Sequence, residues 1–400
     1  MTLKTIAIIG GLDADFIMIA NRIPDRGESV LASHYLEALG GKGANSAIAT
    51  YRTCHKKSSQ KRSSFDLELA RHDSAVETSA DHSLTVATEP LTIGDSDGDN
   101  IQVKMIGAVG DDRYGEMLGV ELNKNGVDAS GIVTVPNTRS SICFVMVEDL
   151  TRENRCLFTL GATATWKRKD FINAEQLGGG IQPDLVVAQM EIDKEVVETM
   201  LATAGNAGID FCLNAAPASP ISRHLYRHLT HLLVNESEAA IMSGHDRDEV
   251  NQDTWPIIAE EFLNRGVANV IITLGAKGAF YANAMGAGHC PAFDVKVEDT
   301  TGAGYVSFPL LPFHVHFLIA LIRVTFTGAY ASDYLRQKAK GTWDIKSAVV
   351  RANKAAAITI QSVGAQHGIP WSDEIDNFDA PGKSLDAIRS NSLAGLGSET

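Results

Sequence analysis

Apolar runs of strand length alternate with segments of helical period along this 400-residue chain, and no other feature restricts its fold as much. The runs that are typical of buried strands are residues 5–9, 186–189, 211–214, 231–234 and 270–274. Continuous apolar strands joined by crossover helices form parallel sheets that helices cover on both faces. The sequence therefore predicts an α/β protein with a doubly wound, mostly parallel sheet flanked by helices.

Three β-rich segments do not follow this alternation. Residues 141–148 and 155–160 follow one another with no helix between them, and residues 29–39 are of the same kind. They predict a separate small antiparallel sheet, built from about residues 12–40 and 140–161. We expect one α/β domain over residues 1–375 that includes this small sheet.

Two stretches have the composition of irregular surface segments. Residues 55–100 are polar and rich in Ser, Asp and Lys, which is typical of a surface insertion. Residues 376–400 are mostly small and polar, and we expect a flexible tail there. We assign no chemistry to either stretch.

Charge and cysteine usage exclude several classes of protein. A formal net charge of −14 argues against a nonspecific nucleic-acid binder, because such proteins need a basic surface. The five cysteines include no CxxC pair, so neither a disulfide framework nor a zinc site is supported. The first strand is not preceded by the basic region or cleavage site of a signal peptide. We expect a cytoplasmic protein, with the nucleus open as a second location.

Residues 305–324 are an unusually apolar run that approaches the length of a membrane span. Two prolines and two histidines lie within it, and no basic flank borders it on either side. We therefore expect no membrane span here, and a membrane-attached protein remains the alternative.

Several short motifs follow one another in a fixed order. The segment 40–45, with the sequence GGKGAN, opens a helix after a β-rich stretch, yet it is neither a Walker A loop nor a dinucleotide-binding fingerprint. The other motifs are residues 11–15, 107–112, 214–218, 235–238, 273–278, 299–304, 364–366 and 369–371. Together they resemble the PfkB family of carbohydrate kinases, and within it the ribokinase branch. The resemblance does not cover residues 55–100 or the run after Gly304.

The resemblance implies a fold, a reaction and cofactors. The fold would be ribokinase-like, with the small sheet as a lid over the sugar and as the contact of a homodimer. The reaction would be transfer of the γ-phosphoryl group of ATP to the primary hydroxyl of D-ribose or a closely related sugar, giving ribose 5-phosphate. Mg²⁺ would accompany ATP, and K⁺ would occupy a monovalent-cation site.

By this resemblance the sugar site takes six residues. They are Asp13, Asp15, Gly41, Lys42, Asn45 and Glu153. Alternate carboxylates near the carboxyl end of the first strand can accept hydrogen bonds from neighbouring sugar hydroxyls. The alternative from the residues alone is a turn aspartate, a helix cap and a solvated lysine.

The resemblance also assigns the nucleotide and the cations. The ATP site would be Asn235, Glu238, Thr273, Leu274, Gly275, Ala276, Lys277, Gly278 and Asn353, with Glu238 near hydrated Mg²⁺. The K⁺ site would be Asp299, Thr301, Thr359, Ser362, Gly364 and Gly368. Without the family, residues 235–238 are typical of a capped helix start, and Asn353 of a polar position on a helix face.

The catalytic motif departs from the family. Gly302, Ala303 and Gly304 match the backbone anion hole, but Tyr305 stands where the family has its aspartate base. A tyrosine with a pKa near 10 is a poor base at neutral pH, so turnover of the chain as written should be very low.

The run 305–323 separates this motif from residues 325–329, which match the family's segment directly after the aspartate. We therefore treat the run as an insertion, and a gene-model error is one hypothesis for its origin. Removing it leaves Val324, not aspartate, at the base position, so that account is incomplete. The alternative functions are a catalytically inactive sugar- or nucleotide-binding protein and another PfkB-family sugar or nucleoside kinase.

Overall fold

The computed structural model describes residues 3–57, 100–149, 154–295, 314–361, 366 and 368–383. The described strands are β1 (Lys4–Ile9), β2 (Asp13–Ala20), β3 (His34–Gly40), β4 (Ile101–Gly110), β5 (Asp128–Val135), β6 (Ser141–Glu148), β7 (Asn154–Thr159), β8 (Leu185–Gln189), β9 (Asp210–Asn214), β10 (His231–Asn235), β11 (Asn269–Thr273), β12 (Ala279–Asn283) and β13 (Gly286–Cys290). The described helices are α1 (Lys42–Cys54), α2 (Arg113–Lys124), α3 (Lys194–Ala207), α4 (Glu236–Ser243), α5 (Trp255–Asn264), α6 (His314–Lys340), α7 (Ile345–Ile360) and α8 (Ser372–Asp376).

Nine of the described strands form the main sheet, in the order β13-β12-β11-β10-β9-β8-β1-β4-β5. The pairs from β11 through β5 are parallel, and β12 and β13 add an antiparallel edge. The doubly wound, mostly parallel sheet predicted from the apolar runs is confirmed. The four internal runs that were expected as strands all lie in its centre.

Helices cover both faces of this sheet, and alternate strand residues point to opposite layers. In β8, Val186 and Ala188 pack in the layer of α3 and α5, whereas Leu185 and Val187 pack in the layer of α1, α6 and α7. All four side chains are fully buried, which explains why the strand is apolar without interruption.

The small sheet has the order β3-β2-β6-β7 and uses the two expected regions of the chain. It is not purely antiparallel, because β2 and β6 pair in parallel while β2–β3 and β6–β7 are antiparallel. Along the chain, β2 and β6 are separated by β3, α1, β4, α2 and β5, so the chain can re-enter the sheet in the same direction. The antiparallel expectation was wrong for this one pair.

The apolar run 305–324 lies only partly in the described structure. Its residues 314–324 form the beginning of α6, and the helix continues without a break to Lys340. None of the helices in the described ranges combines the length and apolar character that a membrane crossing needs. From residue 58 to residue 99, the polar stretch that was expected as a surface insertion lies outside the described structure.

The beginning of the expected tail is tied to the domain. The Asp294 amide donates to the Pro381 carbonyl at 2.8 Å, and the Lys383 amide donates to the Ala292 carbonyl at 2.9 Å. The ring of Phe378 packs edge-on against Phe293, with centroids 5.4 Å apart. Residues from 384 onward lie outside the described structure.

The buried His231 should make the free energy of unfolding depend on pH. It is almost completely enclosed, with Nδ1 2.8 Å from the Tyr330 hydroxyl, and burial lowers its pKa to about 3. The unfolded chain binds this proton near pH 6.5 and the folded chain does not, so stability falls as pH drops below that value. The slope from this group is about 1.4 kcal/mol per pH unit.

We therefore expect the unfolding free energy of His231→Leu, measured by urea unfolding, to fall less steeply between pH 6 and pH 4 than that of the parent. The variant also removes a partner of Tyr330, so the slope and not the absolute stability carries the prediction. His224→Gln, at an exposed position, is the control and should keep the parent slope. An unchanged slope in His231→Leu would contradict the prediction.

Candidate active site

A close approach of two backbone segments builds the first part of the site. A Cβ atom on Gly43 would lie 2.6 Å from both the Gly10 carbonyl carbon and the Gly11 oxygen. Gly41 has a φ of 88°, and a Cβ there would lie 2.7 Å from the Asp13 nitrogen. Only glycine allows this contact, so GGKGAN places the start of α1 against the turn between β1 and β2.

Asp13 and Asp15 begin the small-sheet strand β2 directly after this turn. They are neither a turn aspartate nor a helix cap, so that alternative interpretation is wrong. Burial and the neighbouring Glu191 carboxylate raise the pKa of Asp13 to about 6. Burial, with Asp13 as the next cause, raises the pKa of Asp15 well above its usual range. Both carboxyl groups therefore hold a proton more readily than an exposed aspartate does.

Lys42 contributes the positive charge beside these carboxyls. Its ammonium group forms an ion pair with Glu191, and its backbone amide lies 3.3 Å from Glu191 Oε2. The lysine is therefore partnered, not a solvated surface residue. Glu191 was missed by the sequence analysis, although it lies two residues after the carboxyl end of β8, where α/β proteins place ligand-binding side chains.

The amide of Asn45 connects this region with the end of the chain. Asn45 is buried, and its Oδ1 accepts a hydrogen bond of 3.1 Å from Gln366 Nε2. The same Gln366 amide donates to the Leu39 carbonyl at 3.1 Å. The motif at 364–366 therefore reaches the GGKGAN motif through its glutamine.

A second group lies farther along the same edge of the sheet, where β10 ends and α4 begins. Asn235 caps α4 and forms a capping box with Glu238, with both bonds at 2.8 Å. The helix-cap interpretation of this motif is therefore correct. The Glu238 carboxylate also forms a bidentate ion pair with Arg323 from the unmatched run.

The segment 273–278 forms the turn that follows β11. Thr273 Oγ1 donates to the Val234 carbonyl at 3.2 Å, and the Leu274 amide donates to the Gly278 carbonyl at 2.8 Å. One helical turn covers Gly275–Lys277, and Gly278 has a φ of 97°. Asn353 does not lie on an open helix face: it is buried, and its Nδ2 donates to the Cys290 carbonyl at 3.2 Å.

A row of polar side chains joins the two groups. Four neighbouring strands each end in a polar residue: Gln189, Asn214, Asn235 and Thr273. In each strand the residue two positions earlier packs in the layer of α1, α6 and α7. Gln189 Oε1 and both amide atoms of Asn214 are buried without a hydrogen-bond partner in the described part of the chain. Buried polar atoms of this kind need water or a ligand.

Several expected site residues lie outside the described structure. They are Glu153, Asp299, Thr301, Gly302, Ala303, Gly304, Tyr305, Ser362 and Gly364. Of the expected K⁺ ligands, Thr359 is buried in α7 with its hydroxyl donating to the Ala355 carbonyl at 2.9 Å, and Gly368 lies buried in a turn. The anion hole, the base position and the cation site thus remain predictions.

A family model described as pfkB family carbohydrate kinase matches residues 95–304, slightly more than half of the chain. The chain belongs to the pfkB family of carbohydrate kinases. It is therefore, by family, a sugar kinase that transfers a phosphoryl group.

Individual relatives of this pfkB-family kinase are similar to it over nearly their whole length. A ribokinase of Schizosaccharomyces pombe is 28% identical over 375 residues, covering 93% of this chain and 96% of that protein. A deoxyribokinase of Salmonella typhi is 25% identical over 374 residues, covering 93% and 98%. The structure of an Arabidopsis thaliana ribokinase complexed with ribose and ATP shares the fold at a TM-score of 0.68, with 19% identity and coverage of 95% and 100%.

The glycine contact gives a direct stability prediction for this pfkB-family kinase. Gly43→Ala places a methyl group against the backbone of Gly10 and Gly11, so we expect a loss of about 1–3 kcal/mol in unfolding free energy. Gly119→Ala in α2 is the matched control, because a Cβ there meets open space, and it should be neutral or slightly stabilising. Equal unfolding free energies for the two variants in urea titrations would contradict the prediction.

The ion pair between Arg323 and Glu238 should compete with a magnesium nucleotide. Replacing Arg323 by methionine frees the carboxylate, so we expect up to about tenfold tighter binding of a nonhydrolysable ATP analogue with Mg²⁺. Titration calorimetry measures this, with the exposed Lys338→Met as the control. Weaker binding in Arg323→Met would instead make the arginine a nucleotide contact.

Proposed function

We propose that this chain is built as an ATP-dependent ribokinase, which phosphorylates D-ribose or a closely related sugar at its primary hydroxyl. The observation that carries this is the cluster of Asp13, Asp15, Lys42 and Asn45 at the junction of the two sheets. Several polar groups that converge at one place are typical of a small-molecule site. The near full-length similarity to ribokinases supports the same function.

The carboxyl cluster explains how a neutral, multiply hydroxylated ligand would be held. Asp13 and Asp15 begin one strand, and the amides of Gly41 and Lys42 approach from the start of α1. Each vicinal hydroxyl of a pentose can donate to one carboxyl oxygen and accept from an N–H group. We assign the sugar to these residues and Asn45, with Glu153 as a further contact from the small sheet.

The nucleotide would lie along the ends of β10 and β11. We assign it to Asn235, Glu238, residues 273–278 and Asn353. Oxygen donors of the kind that Mg²⁺ prefers are present in Asn235 and Glu238, and bound Mg²⁺ would neutralise phosphate charge. The cap bonds and Arg323 occupy these oxygens, so the ion would contact Glu238 through water or after the arginine moves.

Phosphoryl transfer also needs an anion hole and a base. We assign the anion hole to Gly302, Ala303 and Gly304, and the base position to Tyr305, which leaves the chain as written impaired. Asp333 does not replace the missing aspartate. It is buried in α6, bound to Gln337 at 2.6 Å and to Arg336 at 3.4 Å.

K⁺ and a homodimer belong to the proposal as well. The cation would bind at residues 299, 301, 359, 362, 364 and 368. The homodimer would form through the small sheet, where Leu157 is 68% exposed and Tyr35 is 48% exposed. A cytoplasmic location stays a prediction from the sequence.

An inactive sugar- or nucleotide-binding protein is the second candidate function. The tyrosine at the base position favours it, and so does the ion pair that holds Glu238. In that case the carboxyl cluster would still bind sugar, but ADP would not form. Deoxyribose and related sugars remain open as alternatives to ribose, since a deoxyribokinase is among the relatives.

A replacement of residues 305–324 by a single aspartate tests the enzyme directly. We expect ADP formation with ribose to rise at least about 100-fold above the parent chain, because a positioned base contributes about 10² to 10⁴ in rate. The same replacement by asparagine is the matched control, since it restores the chain length without the base. Ribose binding to all three proteins is measured by calorimetry.

The outcomes separate the candidate functions. Activity of the aspartate form above the asparagine form supports the kinase. Ribose binding by all three proteins with no ADP formation in any of them favours the inactive binding protein. Failure of all three folded proteins to bind ribose would refute the sugar site.

A further inference from the structure

Two cysteines lie on the same face of the small sheet as the buried carboxyls. The register pairs Asp15 of β2 with Cys143 of β6, and Val145 of β6 with Cys156 of β7. Directly paired residues share a face of a sheet, and so do residues two apart along a strand. Asp15, Cys143 and Cys156 therefore point to the same side of three neighbouring strands.

The two cysteines are diagonal neighbours on this face and differ in exposure. Cys143 lies on β6 and Cys156 on β7, and Cys156 is exposed whereas Cys143 is half-buried. Hydrogen bonding with Cys143, helped by the Lys42 ammonium group, lowers the pKa of Cys156 to about 7. The same neighbour raises the pKa of Cys143, so Cys156 is the thiol that ionises more readily. The other three cysteines, Cys54, Cys212 and Cys290, are buried.

We propose that Cys156 is a thiol modification site on the face of the small sheet that carries Asp15. Cys143 positions its sulfur, and low-molecular-weight disulfides are the reagents. The Cys156 thiolate attacks one sulfur of the reagent and forms a mixed disulfide. The S–S bond of the reagent breaks, and its other half leaves as a thiolate that takes a proton from water. Cys156 is oxidised and the reagent is reduced, so atoms and electrons balance.

The product is a mixed disulfide and not a bond between the two cysteines. Cys143 and Cys156 are diagonal neighbours on adjacent strands, a relation with typical Cα separations of about 7–8 Å. A disulfide needs Cα atoms closer than about 7 Å, so closing one would require the strands to shift.

Modification of Cys156 and binding of sugar exclude one another. The added group would lie on the face that carries Asp15, near Lys42, where the proposed sugar site lies. This consequence rests on the proposed function. The reactivity of Cys156 does not, so the two can be tested apart.

The test uses the full chain and bis(2-hydroxyethyl) disulfide at pH 7, with peptide mass mapping of the labelled cysteines. We expect labelling at Cys156 and none at Cys54, Cys212 or Cys290, which act as internal controls. Cys143→Ala should label about threefold more slowly, because its thiolate fraction falls more than its nucleophilicity rises. Cys143→Ser restores a donor and should label at close to the parent rate.

Saturating ribose should slow labelling of Cys156 at least about tenfold, and the labelled protein should bind ribose at least about tenfold more weakly until dithiothreitol removes the group. Equal labelling of buried and exposed cysteines, or a Cys143→Ala rate equal to the parent, would overturn the modification site. If ribose binds but does not protect Cys156, the exclusion is wrong and the proposed function stands. If ribose does not bind at all, the proposed function fails, while the Cys143 comparison still decides the thiol site.

Discussion

The contact between the Gly10-Gly11 turn and the start of α1 is the constraint on which the rest of the site depends. Because Gly43 brings two backbones together, the first residues of β2 lie beside the amide groups of Gly41 and Lys42. The same contact connects the main sheet with the small sheet. The carboxyls, the ammonium group and the amides therefore converge at this contact.

Much of the architecture follows from local pattern, and the exceptions have physical causes. Buried strands were predictable because parallel strands are apolar on both faces. The parallel pairing of β2 with β6 was not, since strand direction depends on a connection of more than a hundred residues. The capping box at Asn235 was predictable because both of its partners lie within four residues of one another.

Side chains whose partners are distant along the chain could not be predicted from the sequence. Glu191 belongs to no motif, and only the sheet order shows that the end of β8 lies beside β1. Arg323 lies in a run that resembles nothing in the family, yet α6 places it against Glu238. The position of α6 is fixed farther along, where a Cβ on Gly328 would lie 2.6 Å from the Thr50 nitrogen of α1. The residues from His314 to Arg323 extend the same helix on the amino-terminal side of this contact.

The hydrogen bonds of Gln366 have a consequence for biosynthesis. Its side chain donates hydrogen bonds to Leu39 and Asn45, and its carbonyl accepts a hydrogen bond of 2.7 Å from Arg52. These bonds join residues that are more than 300 positions apart in the chain. During translation the amino-terminal half emerges long before this glutamine does. Residue 366 must therefore leave the ribosome before Asn45 acquires its final neighbour, so this side of the candidate site matures late in synthesis.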